Sequence, residues 1–373
     1  MRPVIIVISE VSFAPTFEWL SRLHAEGRVR LEFVLMNEGG SSLESNLLAK
    51  GVPVTRITYR GKRDSLSATW KLFRHFRARS PGVVHTHMLA ASLCGLVAAF
   101  VARVSNRIYT RHHSNLNQEG PRRGRMYDRL CNALSGRIVA TCENVRTYLE
   151  AVERVPAHKV TTIPFGFPLE HFAVASQDRL EKLRERHGYA GRFPVIGVVS
   201  RFIPCKSVPL IVESFRITLA RYPNACLVLA NAGSGSDRAR VLALLGELPD
   251  SAYRMVRFEE DGPALLQSFD VFVHAPADPV SEAFGQVYVE ALLCGVPSVF
   301  TLSGVAREFV RHERNALVVP FSSAAGIAAS VERILEDGVL ANGLKQRGRE
   351  DAERLFQLSH MIESFEELYR CGN

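Results

Sequence analysis

A chain of 373 residues with 47% hydrophobic and 23% charged side chains has the composition of a folded, water-soluble protein, which excludes disordered and collagen-like classes. Its seven cysteines are odd in number and form no Cys-x-x-Cys pair, which argues against a disulfide framework or a zinc site. The net charge of +8 is concentrated in residues 1–168, which hold 24 Lys and Arg against 12 Asp and Glu. Such a basic half attracts nucleic acid, acidic membranes or phosphorylated substrates, so charge alone leaves the partner open.

Predicted strands and helices alternate along the chain, beginning with a β-branched run at 3–9 that is typical of a strand buried on both faces of a parallel sheet. In the first half, further strands are predicted at 31–36, 52–57, 83–86 and 107–110, and helices at 16–26, 42–50, 65–79 and 89–103. In the second half, strands are predicted at 195–200, 225–230, 254–258, 271–274 and 298–301, and helices at 208–221 and 284–294. The alternation indicates two Rossmann-like layers of parallel strands with helical crossovers.

The segment between the layers, about 164–177, carries Pro164, Gly166 and Pro168 and is the predicted hinge. The uncharged run 88–102 is too short for a membrane-spanning helix and is interpreted as a buried one. The N-terminus has no secretory signal pattern, so a cytoplasmic location is expected.

The most informative motif runs from Asp278 to Pro297 and contains Glu-Ala-Phe-Gly-Gln, then Glu-Ala and Gly-Val-Pro. A helix is predicted to start within it, and its first-turn N–H groups and dipole favour a phosphate. Glu282 and Glu290 lie about two helical turns apart on one side, where they can hold hydroxyls at opposite ends of a sugar nucleotide. Judged on spacing alone, an alternative is equally good: Glu282 caps the helix electrostatically and Glu290 is a solvated surface residue.

This composite resembles the signature of the retaining glycosyltransferases of family 4, whose α/β GT-B fold has two Rossmann-like domains facing across a cleft. The resemblance implies that Glu282 contacts the donor sugar and that Glu290 holds the ribose hydroxyls. The remaining donor-binding residues that it implies are Ala283, Phe284, Gly285 and Gln286, the last two through backbone N–H groups.

The same resemblance implies a domain organisation in which each domain binds one substrate. Residues 1–168 form an acceptor-side domain and residues 169–350 a nucleotide-sugar-binding domain. Residues 351–373 form a C-terminal helix that packs back on the first domain.

The stretch 197–206 resembles the family's strand followed by an Arg and a Lys that bind the donor pyrophosphate. Two fixed cations, Arg201 and Lys206, would stabilise the charge that builds on the departing phosphate without a metal. Ser200 and Ser207 stand where the family has Gly. In isolation, the two cations would be interpreted as surface residues. Gly233, in the turn 231–236, resembles the glycine loop beneath the nucleotide, although a plain turn fits equally well.

His85 and His87 end a predicted strand on one face, which resembles the family's His-x-His pair; His87 is assigned to the donor sugar. His112 and His113 follow the next strand and are assigned to the acceptor side. Ser12 is assigned there too, in a first loop that lacks the family's usual Gly-Gly. Metal binding by the four histidines and a purely structural role are the alternatives. No carboxylate or cysteine completes a ligand set, so no metal is expected.

Aromatic residues at 70, 73 and 76 alternate with cations, and Arg122, Arg123, Arg125 and Arg129 form a second basic group. Both groups could lie against an acidic membrane, or the aromatics could pack on the sheet with the cations solvated.

The expected function is metal-independent, retaining transfer from a UDP- or GDP-linked sugar to a glycan or lipid-linked acceptor, in glycolipid or surface polysaccharide biosynthesis. The expected enzyme needs no cofactor, binds no nucleic acid and associates with the inner membrane face. A nucleotide-sugar epimerase or hydrolase on the same fold is one alternative, and a non-catalytic nucleic-acid-binding protein is another.

Overall fold

The computed structural model describes residues 2–114, 122–233 and 235–370, with the side chain of Arg122 outside the described set. The chain forms two compact units, Met1–Phe167 with Gln357–Asn373, and Pro168–Phe356. Each unit contains one parallel sheet, so the predicted pair of Rossmann-like layers is confirmed.

The first unit has a seven-stranded sheet in the order β3-β2-β1-β4-β5-β6-β7. Its strands are β1 (Val4–Ser9), β2 (Leu31–Asn37), β3 (Val54–Thr58), β4 (Val83–His87), β5 (Asn106–Arg111), β6 (Arg137–Ala140) and β7 (Val160–Thr162). Its first helices are α1 (Pro15–Leu20), α2 (Arg22–Ala25), α3 (Ser42–Ala49), α4 (Ser65–Arg79), α5 (Leu89–Val101), α6 (Arg122–Leu134) and α7 (Glu143–Ala151). Every residue of β1 is buried, as its apolar run predicts for a central strand covered on both faces.

The second unit has a six-stranded sheet in the order β10-β9-β8-β11-β12-β13. Its strands are β8 (Val195–Val199), β9 (Cys226–Ala230), β10 (Tyr253–Val256), β11 (Val271–His274), β12 (Ser298–Phe300) and β13 (Leu317–Val318). Its helices are α8 (Gln177–Arg186), α9 (Val208–Arg221), α10 (Arg238–Leu245), α11 (Gly262–Gln267), α12 (Gln286–Leu293), α13 (Ala306–Phe309), α14 (Ala324–Glu336) and α15 (Gly338–Leu355). The carboxyl ends of parallel strands lie at one edge of the sheet, and the loops that follow the adjacent strands β8 and β11 begin there.

One more helix, α16 (Leu358–Arg370), belongs to the first unit. Its apolar face, which includes Met361, Ile362 and Phe365, lies in the same core as β1. Gly166 allows the chain to approach it closely, because a Cβ there would lie 2.7 Å from the carbonyl oxygen of Gln357. The core of the first unit is therefore completed by a segment that follows the second unit in sequence.

The basic, aromatic segment at 70–79 lies on α4 and divides between core and surface. Phe76 is buried and Phe73 packs partly against the core, as the packing interpretation predicts. Trp70 is 60% exposed and stacks on Phe73 at a ring-centroid distance of 5.3 Å. No helix within the described ranges is long and apolar enough to cross a bilayer.

Candidate active site

In the second unit, the loop 275–285 leaves β11 at His274 and ends where α12 begins at Gln286. Gly285 is the residue before the helix and has a φ of 82°. A Cβ at this position would lie 2.7 Å from the ring of Tyr288, so a larger residue would displace the start of the helix. The backbone N–H groups of the first helical turn are thereby presented at the loop's end, as an anion site requires.

Glu282 is buried in this loop and carries a network of polar contacts. Its Oε1 lies 3.1 Å from His274 Nε2 and also pairs with Lys206 Nζ, while its backbone N–H donates to Ser303 Oγ at 3.1 Å. Burial alone would raise the pKa of this carboxyl, but the hydrogen bond from His274 and the charge of Lys206 lower the pKa to about 2. The carboxylate is therefore ionised at neutral pH and can only accept hydrogen bonds.

Lys206 reaches Glu282 from the loop after β8, at the end of the short 3₁₀ turn Pro204–Lys206. The two loops are joined by a backbone hydrogen bond of 3.0 Å from Ala277 N–H to the Cys205 carbonyl. Ser207 adopts a φ of 49°, a left-handed conformation that glycine adopts more easily than serine. Arg201 begins the same loop and its side chain is exposed.

Glu290 lies on the second turn of α12 and is only partly accessible to solvent. Burial raises the pKa of its carboxyl to about 7. The two glutamates of the motif therefore differ in charge state near neutral pH, although each is followed by Ala in the sequence.

Two neighbouring residues of the motif have different environments. Phe284 is buried, and its ring packs edge to face on Phe356 at a centroid distance of 5.8 Å. Ala283 is partly accessible. The Phe284 side chain thus anchors the loop to the core of the second unit.

The turn after β9 contains the predicted residue Gly233, which is exposed; Ser234 lies outside the described residues. A Cβ at Gly233 would make an ordinary contact of 3.5 Å with Arg257. Gly235 is the position that requires glycine, because its φ is 140° and a Cβ would lie 1.9 Å from the Phe202 carbonyl oxygen. This close approach fixes the turn against the residue that follows Arg201.

Three residues of the Glu282 environment were not predicted from the sequence: His274, Ser303 and Gly304. Gly304 has a φ of 55°, and a Cβ there would lie 2.7 Å from the Phe284 carbonyl oxygen and 2.8 Å from Glu282 Cβ. The Ser-Gly pair that follows β12 is a turn signal that points to this loop. No local pattern pairs His274 with a carboxylate eight residues later.

In the first unit, His85 and His87 end β4 but make different contacts. Both ring nitrogens of His85 are hydrogen-bonded, Nδ1 to the Tyr369 hydroxyl at 2.8 Å and Nε2 to Thr110 Oγ1 at 2.7 Å. Burial lowers the pKa of His85 to about 3, so its ring is neutral. His85 is thus a structural residue that joins β4, β5 and α16.

His87 is the partner of His112. Its Nδ1 lies 3.0 Å from His112 Nε2, and its ring packs edge to face on Phe17 at 4.8 Å. Burial lowers the pKa of His87 well below its usual value and that of His112 to about 4, so both rings are neutral. Within the described part of the chain, the buried Nε2 of His87 has no hydrogen-bond partner. Such an atom is costly to bury unless a ligand completes its contacts.

His113 turns away into a buried ionic network. Its Nε2 lies 3.2 Å from Asp128 Oδ1, and Arg111 pairs with Asp128 at 2.9 Å and with Glu153 at 2.6 Å. The four histidines therefore form no single cluster. Among the described residues, no group of three or more His, Cys, Asp or Glu side chains is arranged to hold a metal ion.

Ser12 lies away from the histidines, in a polar recess of about 310 Å³ at the carboxyl ends of β1 to β3. The recess is lined by residues 10–12, 37–41 and 59–60. The Ser12 carbonyl accepts hydrogen bonds from Leu43 N–H at 3.1 Å and Ser42 Oγ at 2.7 Å, which fix the start of α3.

Two family models match the chain. "Glycosyl transferases group 1" matches residues 180–351 and "Glycosyltransferase Family 4" matches residues 16–171. The chain is 22% identical over 311 residues to the capsular polysaccharide biosynthesis glycosyltransferase CapM of Staphylococcus aureus, covering 82% of this chain and 80% of CapM.

Other similarities are narrower or structural. The chain is 27% identical to a GDP-mannose-dependent monoacylated alpha-(1-6)-phosphatidylinositol monomannoside mannosyltransferase of Corynebacterium glutamicum, over about half of each protein, 51% of both. The crystal structure of Anabaena Alr3699/HepE in complex with UDP-glucose superposes with a TM-score of 0.83 at 20% identity, covering 99% of both chains. At that identity the superposition shows a shared fold.

Proposed function

Because the chain belongs to the family 4 glycosyltransferases and has their GT-B fold, we propose that it transfers sugar from a UDP- or GDP-linked donor to an acceptor hydroxyl, without a metal and with retention of configuration. The observation that carries the donor assignment is the Lys206–Glu282–His274 cluster beside the start of α12. This cluster combines a buried carboxylate and a cation beside a helix N-terminus within one unit. Such an arrangement binds a sugar hydroxyl through the carboxylate and a phosphate through the cation and the helix N-terminus.

The proposed contacts follow from the charge of each side chain. Ionised Glu282 accepts a hydrogen bond from a donor-sugar hydroxyl, and Glu290 accepts hydrogen bonds from the ribose hydroxyls. Gly285 and Gln286 donate backbone N–H groups to the diphosphate. Lys206 is held in place by Glu282, so it meets the phosphate already oriented.

The proposed reaction occurs on one face of the sugar. The bond between the anomeric carbon and the β-phosphate oxygen breaks, and the acceptor oxygen forms its bond to that carbon from the same side. The acceptor hydroxyl proton passes to the departing β-phosphate. Arg201 and Lys206 stabilise the negative charge that develops there, and Lys206 does so without rearrangement because Glu282 already holds it in place.

His87 supplies a neutral hydrogen-bonding nitrogen to the donor sugar, as the family resemblance implies. Support for this proposal is its unpartnered, buried Nε2, with the ring held by His112. A neutral imidazole can donate or accept, and its partner His112 selects the tautomer.

The acceptor is proposed to be a glycan or lipid-linked precursor of a surface polysaccharide or glycolipid, at the cytoplasmic face of the membrane. Support comes from the basic first half and from the similarity to CapM, a glycosyltransferase of capsular polysaccharide biosynthesis. Exposed Arg123, Arg125 and Arg129 on α6 provide cations for acidic headgroups.

A thermal-shift screen with UDP, GDP, ADP and their sugars tests the donor proposal. One nucleotide should raise the melting temperature in wild type and much less in Arg201→Ala and Lys206→Ala. Full turnover by both variants would overturn the phosphate assignment.

The reaction course needs separate readouts. NMR of the product made from an α-linked donor should show an α-glycoside, and activity should persist in EDTA. Release of free sugar without acceptor, or an epimerised nucleotide sugar, would replace transfer with hydrolysis or epimerisation. Activity lost in EDTA and restored by magnesium would contradict metal independence.

A further inference from the structure

An apolar groove of about 770 Å³ lies in the first unit between α4, α5 and α6. Helix α5 packs against both of the other helices and forms its floor. A concave apolar space of this size falls within the range of about 300–1,000 Å³ typical of ligand pockets. The Glu282 cluster lies in the other unit, so the groove is a separate feature.

The floor of the groove is an apolar stripe along α5. Leu89, Leu93 and Val97 line it at intervals of four residues, which places them on one helix face. Leu66 of α4 and Met126 of α6 lie on either side and are 88% and 58% exposed. Exposed apolar side chains gathered around a concavity mark a binding surface more often than scattered ones do.

The groove adjoins the polar recess that contains Ser12. Glu10 and Tyr59 line both spaces, so the two meet at the carboxyl ends of β1 and β3. Glu10 adopts a φ of 56°, a conformation unusual for a residue other than glycine. A ligand that filled both spaces would need an apolar portion and a polar portion.

The charges around the groove favour an anionic ligand. Lys62 lines it, and residues 60–79 contain seven Lys and Arg against one acidic residue, Asp64, which pairs with Arg60. On α6, Asp128 is buried in its ion pair with Arg111. The surface beside the apolar space is therefore cationic, whereas the recess is lined by two carboxylates, Glu10 and Glu38, together with Arg60.

We propose that this groove binds the hydrocarbon chain of a phosphate-bearing lipid acceptor, with its phosphate at the cationic rim beside Lys62 and the hydroxyl groups of its polar head in the Ser12 recess. This inference rests on the proposed transfer function and names the class of its acceptor. A flat membrane contact would need cations and exposed apolar side chains but no concave space. The volume of the groove and the two residues that it shares with the recess fit a single amphiphile.

The test uses dodecyl phosphate, below its micelle-forming concentration, as the probe in calorimetric titrations. Wild type should bind it, and Leu66→Gln/Met126→Gln should bind at least ten times more weakly, because both changes place amides against the chain. Both residues are exposed, so the variant should fold. Val174→Gln/Val339→Gln is the matched control, since these residues are 79% and 87% exposed in the second unit.

Each outcome either supports or overturns the proposal that the groove binds a lipid. Equal binding of dodecyl phosphate by the groove variant and the control, or binding of inorganic phosphate as tight as that of dodecyl phosphate, would overturn it. Binding to phosphatidylglycerol vesicles without binding of monomeric dodecyl phosphate would replace the groove with a flat membrane contact.

A nucleotide titration of the same proteins separates the two proposals. If UDP or GDP shifts the melting temperature of all variants equally while the groove variant alone loses dodecyl phosphate, both proposals are supported. If no nucleotide binds but dodecyl phosphate does, the transfer proposal fails and the lipid site stands. If a nucleotide binds but dodecyl phosphate does not, the donor proposal is supported and the lipid site is overturned.

Discussion

The His87–His112 pair of the first unit and the Lys206–Glu282–His274 cluster of the second handle buried ionisable groups in opposite ways. The histidine pair is neutral, because burial lowers the pKa of each ring and no acidic side chain among the described residues raises it. The Glu282 cluster keeps its charge, because a cation and a hydrogen bond offset burial. The first arrangement suits sugar hydroxyls, and the second suits a hydroxyl and a phosphate together.

The difference also concerns rigidity. Glu282 is held through its carboxylate, its backbone N–H and the glycine at 304, so little rearrangement is needed when a ligand binds. In the part of the chain that the structure describes, only one of the two nitrogens of the His87 ring has a hydrogen-bond partner. The comparison therefore predicts that loss of charge at Glu282 costs more than loss of the His87 ring.

The largest effect is expected for Glu282→Gln, which keeps the shape of the side chain and removes its charge. Turnover should fall at least about 100-fold, because a fixed charge is lost where it is most effective. Steady-state kinetics with the preferred donor measure it. Glu247→Gln, an exposed glutamate of the same unit, is the control and should behave as wild type. Turnover within threefold of wild type would contradict the role of this carboxylate.

A smaller loss is expected for His87→Gln, in the range of about 10- to 100-fold in kcat/KM. The matched variant His85→Phe should lose stability instead, by about 1–3 kcal/mol, because it leaves the Tyr369 and Thr110 hydroxyls without their partner. Kinetics and urea unfolding on both variants separate the two roles. If His85→Phe reduced kcat/KM as much as His87→Gln does, the distinction between the two histidines would be lost.

Gly304→Ala tests whether the loop around Glu282 must be fixed. The new Cβ would collide with the Phe284 carbonyl, so turnover should fall about tenfold and the free energy of unfolding by about 2–4 kcal/mol. Gly295→Ala has a similar φ of 65° and open space, and should cost about 1 kcal/mol with normal turnover. Identical behaviour of the two variants would show that backbone conformation alone sets the cost.

The smallest effect is a pH dependence at Glu290. Its folded pKa of about 7 exceeds the unfolded value near 4.5, so its contribution to stability is full below pH 4.5 and lost as pH rises through 7. Nucleotide affinity should change in the opposite direction, rising about three- to tenfold from pH 6 to 8, because the carboxylate accepts both ribose hydroxyls. Calorimetry across this range should give a flat profile for Glu290→Gln. A flat wild-type profile would contradict the assignment.

Much of the fold follows from local sequence. The β-branched run at 4–9 and the strand–helix alternation predict two parallel sheets, which the structure has. The strands β6, β7 and β13, of two to four residues, were missed because such short segments carry no periodicity. The helix predicted at 16–26 is instead α1 and α2, separated at Ser21, whose hydroxyl donates to the Glu18 carbonyl at 2.6 Å.

The site follows from sequence only in part. Motif and resemblance select Lys206 and Glu282, but their ion pair depends on how β8 and β11 lie beside each other. His274 ends β11 and Ser303 follows β12, so their proximity to Glu282 depends on the tertiary fold and not on a local sequence pattern. The roles assigned to these residues, and to 1–168 and 169–350 as acceptor and donor domains, stay predictions.

The placement of α16 has a consequence for synthesis. On the ribosome, residues 2–167 emerge first, yet their sheet lacks the helix that covers it until all of the second unit has been translated. The second unit has every strand and helix of its own core in one continuous stretch and can fold while translation proceeds. The order of folding is thus expected to run against the order of synthesis, because the first unit can complete its core only after the second has been made.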